Sequence, residues 1–302
     1  MISDIRPATL LRPALARIQA EVDECFEALL PVLEDSRAKL VEAMRYATIG
    51  GGKRVRPLLL VSVAELYGVD RDAAASAGCA VEAIHAYSLI HDDLPCMDDD
   101  ALRHGKPTVH RAFGEAVAVL AGDSLHALAF DILTGPDVSS DPFVRSELVA
   151  TLARASGHEG MAGGQMMDIA AGSEEYDLHD ITRLQQLKTG ALLAASVEMG
   201  AIIGRVPPEG RTHLRGFARD IGLAFQIADD LLDVEGDEGK AGKALRKDER
   251  RGKATFVTLM GADKARAQAR ILVDQAIGHL ASHGEDARLL AELARYVVER
   301  DK

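Results

Sequence analysis

The chain has 302 residues and a formal charge of −12, from 35 lysines and arginines against 47 aspartates and glutamates. Apolar residues make up 47% of it, which is usual for a globular protein and excludes a disordered tail. No run comes near the ~18 uninterrupted apolar residues of a membrane span, and no signal peptide is visible, so we expect no membrane anchor. The acidic charge argues against nucleic acid as a partner but is compatible with small anionic substrates.

The three cysteines, Cys25, Cys79 and Cys96, show no metal-ligand spacing. Any disulfide scheme would leave one of them unpaired. The simplest interpretation is a protein of the reducing cytoplasm, with Cys96 in a loop and without a redox role.

Helical periodicity recurs along the chain and predicts an all-α fold. One helix is predicted to begin at Asp141 as N-cap with Pro142 in the first position, because apolar residues follow every four positions. These residues are Val144, Leu148 and Leu152. A second stripe, near the carboxyl terminus, consists of Leu289, Leu290, Leu293, Tyr296 and Val297. No sustained alternation of apolar and polar residues predicts a sheet.

Glycine- and proline-rich breaks divide the chain into roughly ten helices joined by short loops. The breaks lie at 50–52, 105–107, 135–136, 172–176, 206–210 and 236–252. No change in composition marks a domain boundary, and no internal repeat of fixed period is present. We predict one helical domain over residues 1–302.

Two aspartates in the segment GLAFQIADDLLDV lie four residues apart on a predicted apolar helix. Asp229 and Asp233 would project from one face, about 6 Å apart along the axis. Like charges beside apolar residues are unfavourable unless a cation lies between them. Mg²⁺ fits, because it binds carboxylate, water and phosphate oxygens. The pattern predicts a metal-binding face rather than a solvated run of charges.

An earlier acidic cluster lies in HAYSLIHDDLPCMDDD, where Asp92 and Asp98 are six residues apart. On a regular helix they would be about 240° out of phase, but Pro95 cannot continue a helix interior. We infer a bulge after Asp93 that brings Asp98 back toward Asp92. A solvated helix end explains this cluster equally well when it is taken alone. Two such clusters make that interpretation much weaker.

The segment GGGKRVRP places three cations in four positions after three glycines. Glycines permit close backbone approach, while Arg forks and a Lys point charge suit phosphate oxygens. The spacing is not that of a Walker loop, and a basic surface turn is the alternative interpretation.

His85 and Ser88 precede Asp92 by seven and four residues, so they lie on the same helix face. A single helix histidine is more often structural than functional. Further cations follow at Arg103, Lys188, Lys243 and Lys253. Carboxylate clusters beside several cations describe a cavity for a polyphosphate bridged by divalent metals.

These motifs, in this order, resemble the trans-isoprenyl diphosphate synthase family, and most closely its bacterial farnesyl diphosphate synthase branch. The resemblance runs from GGGKRVRP through HAYSLIHDDLPCMDDD, GKPTVH, GGQMMD, LKTGALL and GLAFQIADDLLDVEGD to GKATF. It implies a helical bundle around a deep central cavity, usually a homodimer. It also implies a transferase that condenses isopentenyl diphosphate with dimethylallyl or geranyl diphosphate to give farnesyl diphosphate.

The resemblance implies specific roles for the residues that match its motifs. Three Mg²⁺ ions, with Mn²⁺ as an alternative, would be held by Asp92, Asp98 and Asp229, supported by Asp93 and Asp233. The diphosphate of isopentenyl diphosphate would be held by Lys53, Arg56 and His85. The allylic diphosphate would be held by Arg103, Lys188 and Lys253, with Lys243 beside the leaving group. Thr189 and Gln226 would lie beside the allylic carbons, with Gln165 and Asp168 behind the cavity wall.

Product length would depend on Tyr87 and Ser88, of which Tyr87 lies about 7.5 Å deeper along the helix axis than Asp92. A ring there would stop the growing chain at fifteen carbons, as in the bacterial farnesyl pattern. Simple core packing is an equal alternative for Tyr87.

One position departs from the family pattern. The family usually has two adjacent arginines after the first motif, whereas this chain has Arg103 followed by His104. A histidine is largely neutral near pH 7 and has no bidentate fork, which puts one substrate contact in doubt. Lys106 and Arg111 are the candidates to replace it.

Several other functions are alternatives to this one. Geranyl or geranylgeranyl diphosphate is an alternative product. A class I terpene cyclase generally lacks the GGKRVRP cations, and a non-catalytic partner subunit usually loses one aspartate motif. A metal phosphohydrolase built on His91-Asp92 would need further histidines that are not evident.

Overall fold

The computed structural model describes residues 10–171, 175–235 and 254–299, and over these residues it confirms the predicted all-α fold. The exception among the described residues, which no pattern in the sequence predicted, is a hairpin of the strands β1 (Leu102–Arg103) and β2 (Lys106–Pro107). Two-residue strands are too short to show an alternating pattern, which is why the prediction of no sheet is wrong at this point.

The helices of the amino-terminal half are α1 (Leu11–Leu29), α2 (Ala38–Thr48), α3 (Val55–Leu66), α4 (Arg71–Asp92), α5 (Val109–Phe113), α6 (Glu115–Thr134) and α7 (Pro142–Ser156). Those that follow are α8 (Met161–Ala170), α9 (Leu178–Gln185), α10 (Ala191–Ile203), α11 (Thr212–Glu235), α12 (Phe256–Met260), α13 (Ala262–His279) and α14 (Arg288–Glu299). A π-helical segment, Gln186–Gly190, joins α9 to α10, and 3₁₀ turns lie at Pro208–Arg211 and Ala281–Ala287.

The centre of the bundle is formed by helices that are apolar nearly all round. In α3 the eight residues from Pro57 to Ala64 are all buried, and α4 buries twelve of its residues. A helix that is apolar on every face must be covered on every face. Helices α1, α3, α6 and α10 pack around α4, while α11 packs mainly against α13. The end of α4 is thereby fixed in the interior of the molecule.

Local signals in the sequence place the helix ends as expected. Asp141 accepts a hydrogen bond of 2.9 Å from the backbone of Phe143 and is the N-cap of α7, with Pro142 in the first turn. Val144, Leu148 and Leu152 form the buried stripe of this helix. Asp70 caps α4 in the same way, by accepting from the backbone of Asp72 and Ala73.

Two helices are long and apolar enough to cross a membrane, Arg71–Asp92 and Glu115–Thr134. In α4 this segment is 67% buried within the bundle, whereas in α6 it is only 33% buried. Helix α6 therefore presents an apolar face that the rest of the described chain does not cover.

Several predicted features lie outside the described residues. They are the break at 236–252, part of the break at 172–176, and the proposed substrate ligands Lys243 and Lys253.

Candidate active site

The first aspartate motif is the carboxyl end of α4 and the turn that follows. Asp92 is the last helical residue and Asp93 is the C-cap. The chain then reverses, so that the backbone N–H of Asp98 donates to the carbonyl of Asp92 at 2.9 Å. The N–H of Asp99 donates to the carbonyl of Leu94 at 3.1 Å. This is the bulge expected from Pro95, and it returns Asp98 to the side of Asp92.

The carboxyl group of Asp92 has an unusual environment for an acid. Its pKa is raised to about 6, chiefly by burial; Lys188 opposes this rise and the neighbouring Asp98 adds to it. Ionisation of Asp92 in the folded protein therefore costs free energy, and a bound cation would reduce this cost.

The second aspartate motif lies on the last turns of α11. Asp229 and Asp233 are both half-buried and occupy positions i and i+4, as the sequence predicted. Their neighbour Asp230 is buried and has a different function. It accepts hydrogen bonds from the backbone N–H of Phe256 at 2.9 Å and from Gln226 Nε2 at 3.1 Å. Asp230 therefore fixes the start of α12, while its two neighbours in the motif border the site.

Gln226 joins this motif to the π-helical segment. Its Oε1 accepts from the hydroxyl of Thr189 at 3.1 Å, and its Nε2 donates to Asp230. The amide is therefore oriented at both ends, and the hydroxyl of Thr189 keeps its oxygen lone pairs available. The structure thus brings Thr189 and Gln226 together, as the motif match implied.

The π-helical turn presents Lys188 one residue before Thr189. Lys188 Nζ pairs with Asp168 at 2.8 Å, which gives the GGQMMD aspartate its function. Gly164 of the same motif is required for the close contact between α8 and the π-helical turn. A Cβ on Gly164 would lie 2.2 Å from the backbone nitrogen of Lys188, so only glycine allows α8 to approach. Such π-helical turns often occur at functional sites.

Arg54 organises the glycine-rich loop from within. Its guanidinium is buried and donates to Glu82 at 2.7 Å, to Asp23 at 2.9 Å and to the carbonyl of Thr48. Its backbone is left-handed, with φ of 49°. The two terminal nitrogens of Arg54 thus bind groups on α1, α2 and α4 and hold the loop in place, a function that the sequence did not distinguish from phosphate binding.

The other two cations of this loop have different surroundings. Arg56 is half-buried, and its Nε, which is shielded from solvent, has no hydrogen-bond partner among the described residues. Burial lowers the pKa of Arg56, against the raising effect of Glu82 and Asp229. Lys53 is exposed, and its Nζ lies 5.8 Å from the centre of the Tyr296 ring. A buried guanidinium nitrogen without a partner is a ready donor for an anion.

His85 lies on the inner face of α4 beside this loop. Burial lowers its pKa well below the usual value, and the charges of Arg56, Arg103 and Arg54 lower it further. The imidazole is therefore neutral near pH 7 and can donate one hydrogen bond. Three arginines lie close enough to His85 to lower its pKa, so the electrostatic potential around this histidine is positive.

Arg103, on β1, is held by the first aspartate motif. Its Nε is 2.9 Å from both oxygens of Asp93, and its Nη2 is 2.6 Å from Oδ1. Burial alone would lower the pKa of Arg103, but its hydrogen bonds to Asp93 outweigh this and raise it, so the pair is ionised. In this conformation Asp93 positions an arginine at the site.

His104 occupies the turn of the hairpin, with φ of 51°. Burial and then Arg103 lower the pKa of His104, so it carries no charge near pH 7. Of the two residues considered as replacements for the missing second arginine, Lys106 lines a cavity together with His104, whereas Arg111 pairs with Asp99 at 3.1 Å. The neighbouring Lys106 is therefore the better placed cation.

These cationic elements surround an open cavity of about 770 Å³. The glycine-rich loop forms one side, the inner face of α4 the second and the hairpin the third. Its polar lining includes Arg54, Glu82, His85, Asp93, Arg103, His104 and Lys106. A pocket with this many guanidinium and imidazole groups is suited to an anion.

Electrostatic contacts join the cationic and acidic parts of the site. The charge of Lys188 acts on Asp92, and that of Asp229 acts on Arg56. The π-helical turn, α4, α11 and the glycine-rich loop therefore lie within electrostatic reach of one another. Hard oxygen donors on two sides of it, with Asp92 costly to ionise without a cation, fit Mg²⁺.

The residues predicted to control product length lie on α4 before Asp92. Ser88 donates its hydroxyl to the carbonyl of His85 at 2.8 Å and is directed at its own helix. Burial raises the pKa of Tyr87, and so does the charge of Asp92, so the phenol is within electrostatic reach of that carboxylate.

A further acidic group, Asp177, His179 and Asp180, lies apart from these motifs at the start of α9. Asp177 and Asp180 form a capping box there, which explains their proximity.

Comparison with known proteins follows the same motifs. The polyprenyl synthetase family profile matches residues 37–294. Farnesyl diphosphate synthase of Escherichia coli is 42% identical over 289 residues, covering 93% of this chain and 96% of that protein. These matches confirm the family and the enzyme class predicted from sequence.

Solved structures show the same fold. An apo FPP/GFPP synthase from Zymomonas mobilis superposes with a TM-score of 0.88 at 54% identity and covers 95% of this chain and 98% of that one. A geranyltransferase from Helicobacter pylori, complexed with magnesium and isoprenyl diphosphate, has a TM-score of 0.79 at 32% identity, with 95% and 96% covered. The chain belongs to the polyprenyl synthetase family.

Proposed function

We propose that this protein is a trans-prenyltransferase that condenses isopentenyl diphosphate with dimethylallyl and then geranyl diphosphate, giving farnesyl diphosphate. The observation that supports this most directly is the proximity of an acidic and a cationic group of residues. The acidic group is Asp92, Asp98 and Asp229, the cationic group is Arg56, His85 and Arg103, and charges in one act on residues of the other. Two diphosphates and their metal ions need this separation of charge.

The isopentenyl diphosphate binds in the cationic cavity. Arg56 offers its Nε, His85 its single N–H, and Lys53 an exposed ammonium on the glycine-rich loop. Because the terminal nitrogens of Arg54 are already paired with Asp23 and Glu82, its function is to hold the loop that carries Lys53 and Arg56. His104 contributes shape and one neutral hydrogen bond.

The allylic diphosphate binds between the two aspartate motifs. Asp92, Asp98 and Asp229 would hold Mg²⁺ there, with Asp233 supporting and three ions in all, and Mn²⁺ as a substitute. When bound, the metal neutralises charge on the leaving diphosphate and so favours cleavage of the allylic C–O bond. Lys188 and Arg103 bind its oxygens, with Asp168 and Asp93 orienting the two cations.

The chain itself protects the allylic cation that forms. Thr189 and Gln226 place oxygen dipoles beside it, and the hydrogen bond between them keeps both fixed. The double bond of isopentenyl diphosphate attacks the cation, and the proton then lost passes to the released diphosphate. No side-chain nucleophile is required.

We propose that Tyr87 ends the cavity at a length of fifteen carbons, because it lies about 7.5 Å below Asp92 along α4 and its phenol is within reach of that carboxylate's charge. Geranylgeranyl diphosphate is the alternative product. The name of the Zymomonas mobilis relative includes a product longer than farnesyl diphosphate, so small changes in this floor are expected to matter.

We further propose that the enzyme is a homodimer joined through α6 and α7. Val119 and Leu120 on α6 are 41% and 54% exposed, and Phe143 on α7 is 84% exposed. A helix of such hydropathy that one chain leaves uncovered is suited to a second copy of itself. Light scattering of the wild type and of Leu120→Glu tests this, and a monomeric wild type would contradict it.

The proposed compartment is the cytoplasm. Cys25, Cys79 and Cys96 are free thiols, which is compatible with reducing conditions.

The decisive experiment is incubation of the enzyme with Mg²⁺, isopentenyl diphosphate and geranyl diphosphate, followed by chromatography of the products. We expect a fifteen-carbon diphosphate and release of pyrophosphate. Consumption of the allylic substrate without chain growth would instead indicate a cyclase. No consumption of either substrate would indicate a non-catalytic partner subunit.

A further inference from the structure

Four aromatic rings form a continuous row between α4 and α6, and only one of them has a proposed function. Tyr87 meets His91 and His126 edge-on, with ring centres 5.8 and 5.0 Å apart. His126 meets Phe130 in the same way at 5.2 Å. The planes of Tyr87 and His126 are nearly perpendicular, at 89°, which is a favoured geometry for two aromatic rings.

The two helices that carry this row are fixed at its upper end. His91 Nε2 lies 3.1 Å from the carbonyl of Val119 on α6. The imidazole occupies a notch at Gly122, where a Cβ would lie 2.1 Å from Nε2. Since His91 is adjacent to Asp92, the spacing between α4 and α6 is set at the depth of the first aspartate motif.

Below this point, His126 is the α6 ring that Tyr87 meets. His126 is exposed and contacts Tyr87 from α6, while the charge of Asp92 acts on the phenol. Burial lowers the pKa of His126, as does His91, against the opposite effect of Asp123, so the ring is neutral near pH 7. A neutral imidazole packs against the phenol as an aromatic ring and brings no charge to the floor.

We propose that His126 is a positioning residue for chain length, which keeps the Tyr87 ring across the end of the cavity by blocking its rotation toward α6. The inference rests on the proposed function, and specifically on Tyr87 as the floor. A tyrosine without His126 behind it could turn aside and admit a longer hydrocarbon. The length of the product then depends on the Tyr87–His126 pair and not on Tyr87 alone.

The test compares product distributions of the wild type, Tyr87→Ala, His126→Ala and the double variant, with geranyl diphosphate as starter. We expect His126→Ala to raise the ratio of twenty-carbon to fifteen-carbon product about two- to tenfold, the range that an edge-to-face ring pair can supply. The double variant should match Tyr87→Ala, because His126 acts through Tyr87. His126→Phe, which restores a ring, should return the ratio toward that of the wild type.

Asp131→Asn, an exposed change on the same helix, is the matched control and should leave the distribution as in the wild type. If His126→Ala does not fold, His126→Gln removes the ring while keeping most of the volume. A lengthened product in Tyr87→Ala with an unchanged one in His126→Ala and His126→Gln would overturn this inference and leave the proposed function intact. An unchanged product in Tyr87→Ala would remove Tyr87 as the floor and this inference with it, and failure of the wild type to elongate would refute the proposed function itself.

Discussion

The two aspartate-rich segments border the same site, but different parts of the chain hold them in place. In the second segment, helical register alone puts Asp229 and Asp233 on one face of α11. In the first, the helix ends at Asp92, and a backbone hydrogen bond from Asp98 to Asp92 closes the turn. The second motif is therefore fixed by local structure, while the first depends on a turn, on Pro95 and on the partners of Asp93.

The comparison also separates neighbouring carboxylates that look equivalent in the sequence. In each motif one aspartate faces the site and the next one binds protein. Asp93 holds Arg103, and Asp230 holds Phe256 and Gln226. A pair of adjacent aspartates thus combines one group for the ligand with one for the scaffold.

The difference between the two kinds of aspartate is tested most directly by changing Asp229 and Asp230 one at a time. Asp229→Asn should lower kcat by about 10³-fold or more, since a charge at the proposed metal site is lost. Its thermal unfolding should resemble that of the wild type. Asp230→Asn places an NH₂ group against one of two donors, so it should lower the free energy of unfolding by about 1–3 kcal/mol. Calorimetry and steady-state kinetics on both variants check this, and equal losses of stability would contradict it.

In the first motif, Asp92→Asn should also abolish turnover, but with a gain in stability. Because burial raises the pKa of Asp92 to about 6, the folded protein binds this proton more tightly than the unfolded chain does. The contribution of Asp92 to stability is thus unfavourable at pH 7 and is relieved as the pH falls from about 6 to about 4.

We therefore expect Asp92→Asn to stabilise the metal-free protein at pH 7 by about 1–3 kcal/mol. Urea unfolding with and without Mg²⁺ measures the effect. Addition of Mg²⁺ should stabilise the wild type more than the variant, and an equal response of both would argue against Asp92 as a ligand.

A third variant tests the position of Lys188 opposite these motifs. Gly164→Ala would push α8 away from the π-helical turn, because the new Cβ meets the Lys188 backbone at 2.2 Å. Overpacking of this kind costs about 1–3 kcal/mol, and displacement of Lys188 should lower kcat about 10- to 100-fold. Gly278→Ala, where a Cβ meets nothing within 4 Å, is the matched control. Comparable kinetics in the two variants would show that the close approach of α8 has no function.

The smallest effect is expected at the residue that departs from the family pattern. His104→Arg should lower the KM for isopentenyl diphosphate about two- to tenfold near neutral pH, since the histidine is uncharged there and the arginine is not. His104→Asn suits the same positive φ without adding charge and should not lower this KM. KM values measured for both at saturating geranyl diphosphate decide whether this position contacts the diphosphate.

Most of the fold was predictable because its signals are local. The N-cap at Asp141, the stripe in α7 and the i, i+4 pair on α11 all follow from helix geometry. The hairpin around His104 was not predictable from alternation, since each of its strands has two residues. The chemistry of the site was predictable from motif order, but the separate functions of Arg54 and Arg56 were not. Both are arginines in one loop, and only their surroundings distinguish them.

The amino-acid sequence by itself determined the helical fold, the family and the two carboxylate clusters, because helix periodicity and motif spacing depend on residues close together in the chain. The packing of the helices, by contrast, determines which charged groups face the site and which are paired with other charged groups inside the protein. Glu82 on α4 and Asp23 on α1 both pair with Arg54, and Asp168 on α8 pairs with Lys188 on the π-helical segment. Such pairings join residues 20 to 31 positions apart, and they depend on how the helices pack against one another rather than on any local pattern.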